Sequence, residues 1–70
     1  MRREPVSSSN LRSVGYDPPS ATLEIEFNSG GVYQYSGVPA HVHDSLLRSG
    51  SLGRYFASQI KDVYPCAKIQ

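Results

Sequence analysis

Tyr33 and Tyr35 stand two residues apart, and on a strand that spacing points both rings to one face. Such a pair either offers a stacking platform to a ligand or plugs a small core. A second set of residues is cationic. Arg48, Arg54, Lys61 and Lys68 give residues 48–70 a net charge of +3, against −2 for residues 1–47. A mildly basic C-terminal half is compatible with phosphate contacts. The total of +1 announces no strong electrostatic partner.

Other residue types that do chemistry are sparse. His41 and His43 are the only histidines; at i and i+2 on a helix they point to different faces and do not chelate a metal as an i, i+4 pair does. Asp44, His43 and the serines do not make a triad, because adjacent residues on one helix cannot line up as nucleophile, base and orienter. Gly50-Ser51-Leu52-Gly53 opens a helix with free backbone N–H groups, which with Arg54 and Arg48 suit a phosphate. The same residues also read as a cap between two helices, with Gly53 allowing close packing on the sheet, and this reading is preferred. Cys66 is the only cysteine, so no intrachain disulfide forms, and the sequence offers no base or cation fixed beside it to activate it. These residues predict neither a catalytic centre nor a metal or cofactor site.

The elements that position these groups follow from periodicity. Residues 10–16 form an imperfect first strand, in which Leu11 falls on the opposite parity to Val14 and Tyr16; a bulge or a twist near Ser13 would reconcile them. Asp17-Pro18-Pro19-Ser20 forces a turn. Leu23, Ile25 and Phe27 alternate with Thr22, Glu24 and Glu26, the pattern of a half-buried antiparallel strand. Its hairpin partner is Val32 to Ser36. A three-residue loop, Asn28-Ser29-Gly30, pairs Ile25 with Tyr33 and Leu23 with Tyr35, which sends both tyrosines to the apolar face. A two-residue loop, Ser29-Gly30, sends them to the polar face. The first register is favoured, because so small a domain can hardly leave two large aromatics outside its core.

Val38-Pro39 opens a first helix with proline at its first position, and Val42 and Leu46 share its apolar stripe. Ser51 caps a second helix whose stripe is Leu52, Tyr55, Phe56, Ile60 and Val63, with Tyr64-Pro65 as its end.

The pieces in order are Val6-Ser7-Ser8, Val14-Gly15-Tyr16-Asp17, Leu23-x-Ile25-x-Phe27, Ser29-Gly30, Tyr33-x-Tyr35, Val38-Pro39, Ser51-x-Gly53-x-Tyr55-Phe56, Ile60-Lys61 and Tyr64. This series resembles the KTSC domain over residues 6–64. Ala57 departs from the pattern, where a polar residue, often Asn, follows the aromatic pair. The resemblance implies a small α+β module, found alone in bacterial and phage proteins or appended to the C-terminus of some lysyl-tRNA synthetases. It implies no established activity; the synthetase fusions point to RNA.

Residues 1–5 are therefore expected to be a flexible tail, 6–64 a single KTSC-like domain, and 65–70 a C-terminal tail. The expected fold is α+β: a three-stranded antiparallel β-meander packed on one face by two short C-terminal helices. The expected core is Val14, Leu23, Ile25, Phe27, Tyr33, Tyr35, Val42, Leu46, Tyr55, Phe56 and Ile60. The expected function is that of a non-enzymatic, cytoplasmic binding module, a monomer or weak homodimer. It contacts tRNA or single-stranded RNA weakly through Arg48, Arg54, Lys61 and Lys68, or alternatively contacts protein or itself. Tyr33, Tyr35, Val38, Pro39, Ser51, Gly53, Tyr55 and Phe56 are expected to be structural members of the family motif. If the hairpin has a role of its own, Gln34 and the glutamates of the outer face would carry it. No apolar run approaches the ~20 residues of a membrane span.

Overall fold

A computed structural model describes residues 1–70. The sheet has five antiparallel strands in chain order, not three: β1 (Glu4–Pro5), β2 (Leu11–Asp17), β3 (Thr22–Phe27), β4 (Val32–Tyr35) and β5 (Cys66–Lys68). Two helices, α1 (Ala40–Arg48) and α2 (Leu52–Gln59), lie between β4 and β5 in the chain. Both pack on one face, where Val42, Leu46, Phe56 and Ile60 join Leu11, Val14, Leu23, Ile25 and Tyr35 in one apolar cluster.

The two extra strands come from segments read as tails. Glu4 pairs with Val14 and Pro5 with Ser13. Cys66, Ala67 and Lys68 pair with Tyr35, Gln34 and Tyr33. Neither strand is long enough to show a period of two, so only the open edges of β2 and β4 reveal them.

The hairpin adopts the three-residue loop. Ile25 pairs with Tyr33 and Leu23 with Tyr35. The Phe27 N–H donates to the Gly31 carbonyl at 2.9 Å, and Gly30 supplies the positive φ (102°) that closes the turn. The β2–β3 register slips between Leu11 and Ser13. This bulge turns Leu11 toward the helices together with Val14, so Leu11 enters the core despite its parity.

The core also takes in Val38, which is wholly buried. Its N–H donates to the Ala21 carbonyl, and its own carbonyl accepts the Tyr16 hydroxyl. Phe27, Tyr33 and Tyr55 are only half-buried and pack at the margin of the cluster. Val32 is buried outside the cluster, opposite Glu26, where Val32 N donates to Gln70 O and Val32 O accepts from Ile69 N.

Both helices are shorter than their patterns. Pro39 is the residue before α1 rather than its first member, with ψ at 151°. Helix α2 stops at Gln59. The Lys61 N–H reaches back to the Phe56 carbonyl at 2.9 Å, and Asp62 turns into the left-handed region (φ 63°), a conformation Asp tolerates better than most residues. Val63 is thereby thrown off the stripe and stands 57% exposed.

An aromatic groove at the hairpin end

The sheet's outer face is polar and internally satisfied. Glu24 is 5% exposed, and its carboxylate accepts from the Arg3 guanidinium and, at 2.9 Å, from Gln34 Nε2. Arg3 Nε also donates to Ser13 Oγ at 3.1 Å, and Ser13 Oγ donates to Glu26 at 2.9 Å. The stem of Arg3 crosses Gly15, where a Cβ would come within 2.6 Å of the Arg2 carbonyl and 3.1 Å of Arg3 Cγ. Of the candidates for an outward role, Glu24 is thus engaged by Arg3 from the N-terminus, and Gln34 is engaged by Glu24.

The helix-facing side carries the concavity. Two adjoining cavities, each about 410 Å³, share Phe27, Ser29, Phe56 and Lys61. One extends toward Asn10, Gly53 and Ala57, the other toward Tyr33, Tyr35 and Cys66. The rings meet edge to face: Phe27 with Tyr33 at 5.6 Å and 79°, Phe27 with Phe56 at 5.4 Å and 69°, and Tyr35 with Phe56 at 5.5 Å and 78°. The hairpin register brings Phe27, Tyr33 and Tyr35 to this side, and the spacing within α2 brings Phe56 to meet them.

Tyr33 and Tyr35 differ in burial. Tyr35 is 5% exposed, whereas Tyr33 is half-buried and borders the groove. Burial pushes the Tyr35 phenol up to about 12, with smaller contributions in the same direction from Cys66, Tyr33 and Asp62.

The four cations separate. Lys61 lines both cavities, brought there by the turn that ends α2. Lys68 stands opposite Tyr33 on the same side of β5 as Cys66. Arg48, in the last turn of α1, and Arg54, in the first turn of α2, line neither cavity. The backbone N–H of Arg54 is taken by the Ser51 side chain at 3.3 Å, and the Asn10 amide sits 2.9 Å from where a Gly53 Cβ would be. Gly53 thus lets the N-terminal end of α2 approach the loop before β2. His43 stacks on Tyr16 at 4.9 Å and 11°. The groove itself was not legible in the sequence; its signal was the aromatic side chains at the hairpin end of both β3 and α2.

Fold and groove together define a small α+β domain with a five-stranded antiparallel sheet, a helical pair on one face and an aromatic groove at the hairpin end. The chain belongs to the KTSC domain family, whose model matches residues 7–64. The crystal structure of a KTSC domain protein from Yersinia pestis superposes with a TM-score of 0.96 at 46% identity, covering 99% of this chain and 97% of that one. An uncharacterized protein from Stutzerimonas stutzeri is 49% identical over 61 residues, 87% of this chain and 86% of that protein. A lysine–tRNA ligase from a Nostoc species is 40% identical over 51 residues, which is 73% of this chain and 9% of the ligase. No helix is long and apolar enough to cross a membrane.

Proposed function

We propose that this domain is a non-enzymatic binding module that holds single-stranded RNA weakly in the aromatic groove. The observation that carries the reading is the placement of Lys61 beside Phe27, Phe56 and the half-buried Tyr33, with Lys68 across from Tyr33. Single-stranded RNA is held by ring stacking combined with phosphate neutralisation, and the groove offers both within one concavity. The likeness to part of a lysine–tRNA ligase adds support. In this reading Lys61 and Lys68 meet phosphates at the groove, while Arg48 and Arg54 add only long-range attraction.

The test is a titration of labelled tRNA and of a single-stranded RNA at several salt concentrations. Saturable binding at ~100 μM or tighter in low salt is expected, in the range of sequence-independent contacts. Two phosphate contacts on a single strand give a log–log salt slope of about −1.4. The Lys61→Ala/Lys68→Ala double variant should lose most of the binding and Arg48→Ala little. No saturable binding, or binding indifferent to salt, would overturn the reading.

A second reading, a protein-interaction or self-association module, is favoured by one observation. Strand β5 is an exposed edge of the sheet, next to Ile69, which is 48% exposed. Light scattering that finds only monomer, with no co-purifying protein, would count heavily against it.

A further inference from the structure

Tyr16 and Tyr35 both lie on the helix-facing side of the sheet, but their hydroxyls are used differently. Tyr16 donates to the Val38 carbonyl at 2.5 Å. The Tyr35 hydroxyl has no hydrogen-bond partner within the protein, although the residue is more than nine-tenths buried, and its oxygen is not fully sealed from solvent. Tyr35 borders the cavity that extends toward Cys66. Cys66, the strand partner of Tyr35, borders the same cavity, as do Tyr33 and Asp62. Most buried polar groups are paired, and one left unpaired at the floor of a cavity has unused bonding capacity aimed at whatever enters.

We infer, resting on the RNA reading above, that this cavity is a nucleotide pocket: one unstacked base enters against Phe27, Tyr33 and Phe56, an acceptor atom on its edge receives the Tyr35 hydroxyl, and its phosphate lies on Lys61. Three features select that class of ligand. The walls are aromatic, which suits a flat ring with π faces. The floor presents a single donor, which stays protonated across the physiological range and suits a base carbonyl or ring nitrogen. The rim carries both Lys61 and Asp62, so a phosphate and an exocyclic amino group each find an opposite partner. The volume, about 410 Å³, lies within the range of small-molecule sites.

The experiment titrates nucleoside monophosphates and a short single-stranded RNA into the wild type, Tyr35→Phe and His41→Ala, reading backbone amide NMR shifts. His41 is exposed on α1, borders neither cavity and serves as the control. Alkylation of Cys66, which is exposed and borders the pocket, is timed with and without ligand. Saturable shifts at Tyr33, Lys61 and Asp62 are expected, together with slowed Cys66 alkylation. Tyr35→Phe should weaken the nucleotide about two- to tenfold, the span of one lost hydrogen bond, and His41→Ala should leave it unchanged. If RNA binds but Tyr35→Phe binds equally well and Cys66 stays unprotected, the pocket is overturned and the RNA module stands. If nucleotides bind with Tyr35 dependence while RNA does not saturate, the pocket stands and the RNA module falls. If neither ligand binds, both fall. Should Tyr35→Phe misfold, the wild type alkylated at Cys66 replaces it; loss of the nucleotide shifts supports the pocket, and unchanged shifts overturn it.

Discussion

Arg3 passes over Gly15 and ion-pairs with the buried carboxylate of Glu24, 21 residues further along the chain. The contact ties the N-terminal strand to the middle of the sheet, and it explains how Glu24 is buried on a face that alternation assigns to solvent.

Removing Arg3 should therefore cost far more than removing its neighbour. Arg3→Ala leaves the Glu24 charge buried with only Gln34 beside it, a loss of about 3 kcal/mol or more by the usual cost of orphaning one partner of a buried pair. Arg2 pairs with Glu4 at 3.7 Å in open solvent, so Arg2→Ala should change stability by roughly 0.5 kcal/mol or less. Urea denaturation of both variants checks the contrast; equal effects would remove Arg3–Glu24 as the clasp.

Gly15 is the gap through which that clasp runs. A Cβ at this position would strike the Arg2 carbonyl at 2.6 Å, and a backbone atom cannot swing aside as a flexible side chain can. Gly15→Ala is expected to free β1 from β2. Hydrogen exchange should then show faster amide exchange at Val14, whose N–H faces β1, with protection of Ser13, which faces β3, and of Ile25 retained.

Ser51 accepts the Arg54 N–H and so caps α2. Ser51→Ala should lose about 1 kcal/mol, the usual worth of such a cap. Ser51→Asp should keep the cap and, by placing an anion at the helix N-terminus, match or exceed wild-type stability. Thermal unfolding of the pair distinguishes a cap from a general effect of mutation at the α1–α2 junction.

Tyr35 makes a signed prediction about pH. Its phenol ionises near 12 when folded against 10.0 when unfolded, mainly because burial disfavours the phenolate. Between those values the folded chain holds the proton more firmly than the unfolded chain. Stability from this group is therefore fully present below pH 10 and is lost as pH rises toward 12. Ultraviolet titration should show one of the five tyrosines ionising late, and Tyr35→Phe should flatten the alkaline loss of stability relative to wild type.

Much of the fold is written in local patterns. The alternation of Leu23, Ile25 and Phe27, the Asn28-Ser29-Gly30 loop and the spacing of Val42 and Leu46 predicted the β3–β4 register, the facing of the tyrosines and the helical side of the core. The break in alternation near Ser13 was also legible, as a bulge or a twist, and the register shift between Leu11 and Ser13 makes it a bulge. These signals work because a period of two or 3.6 needs only near neighbours to express it.

The tertiary structure decided the rest. Glu4–Pro5 and Cys66–Lys68 are too short to carry a period, and they became strands because the edges of β2 and β4 offered unpaired backbone. The stripe through Ile60 and Val63 read as one helix, but the chain turns left-handed at Asp62 and carries Lys61 to the groove while exposing Val63. Tyr33 and Tyr35 share a face by sequence; the packing of Phe27, Phe56 and β5 around them set one as a wall and the other as a floor. Parity along a strand settles which side a residue takes, whereas its depth on that side depends on residues far away in the chain, and local spacing carries no record of them.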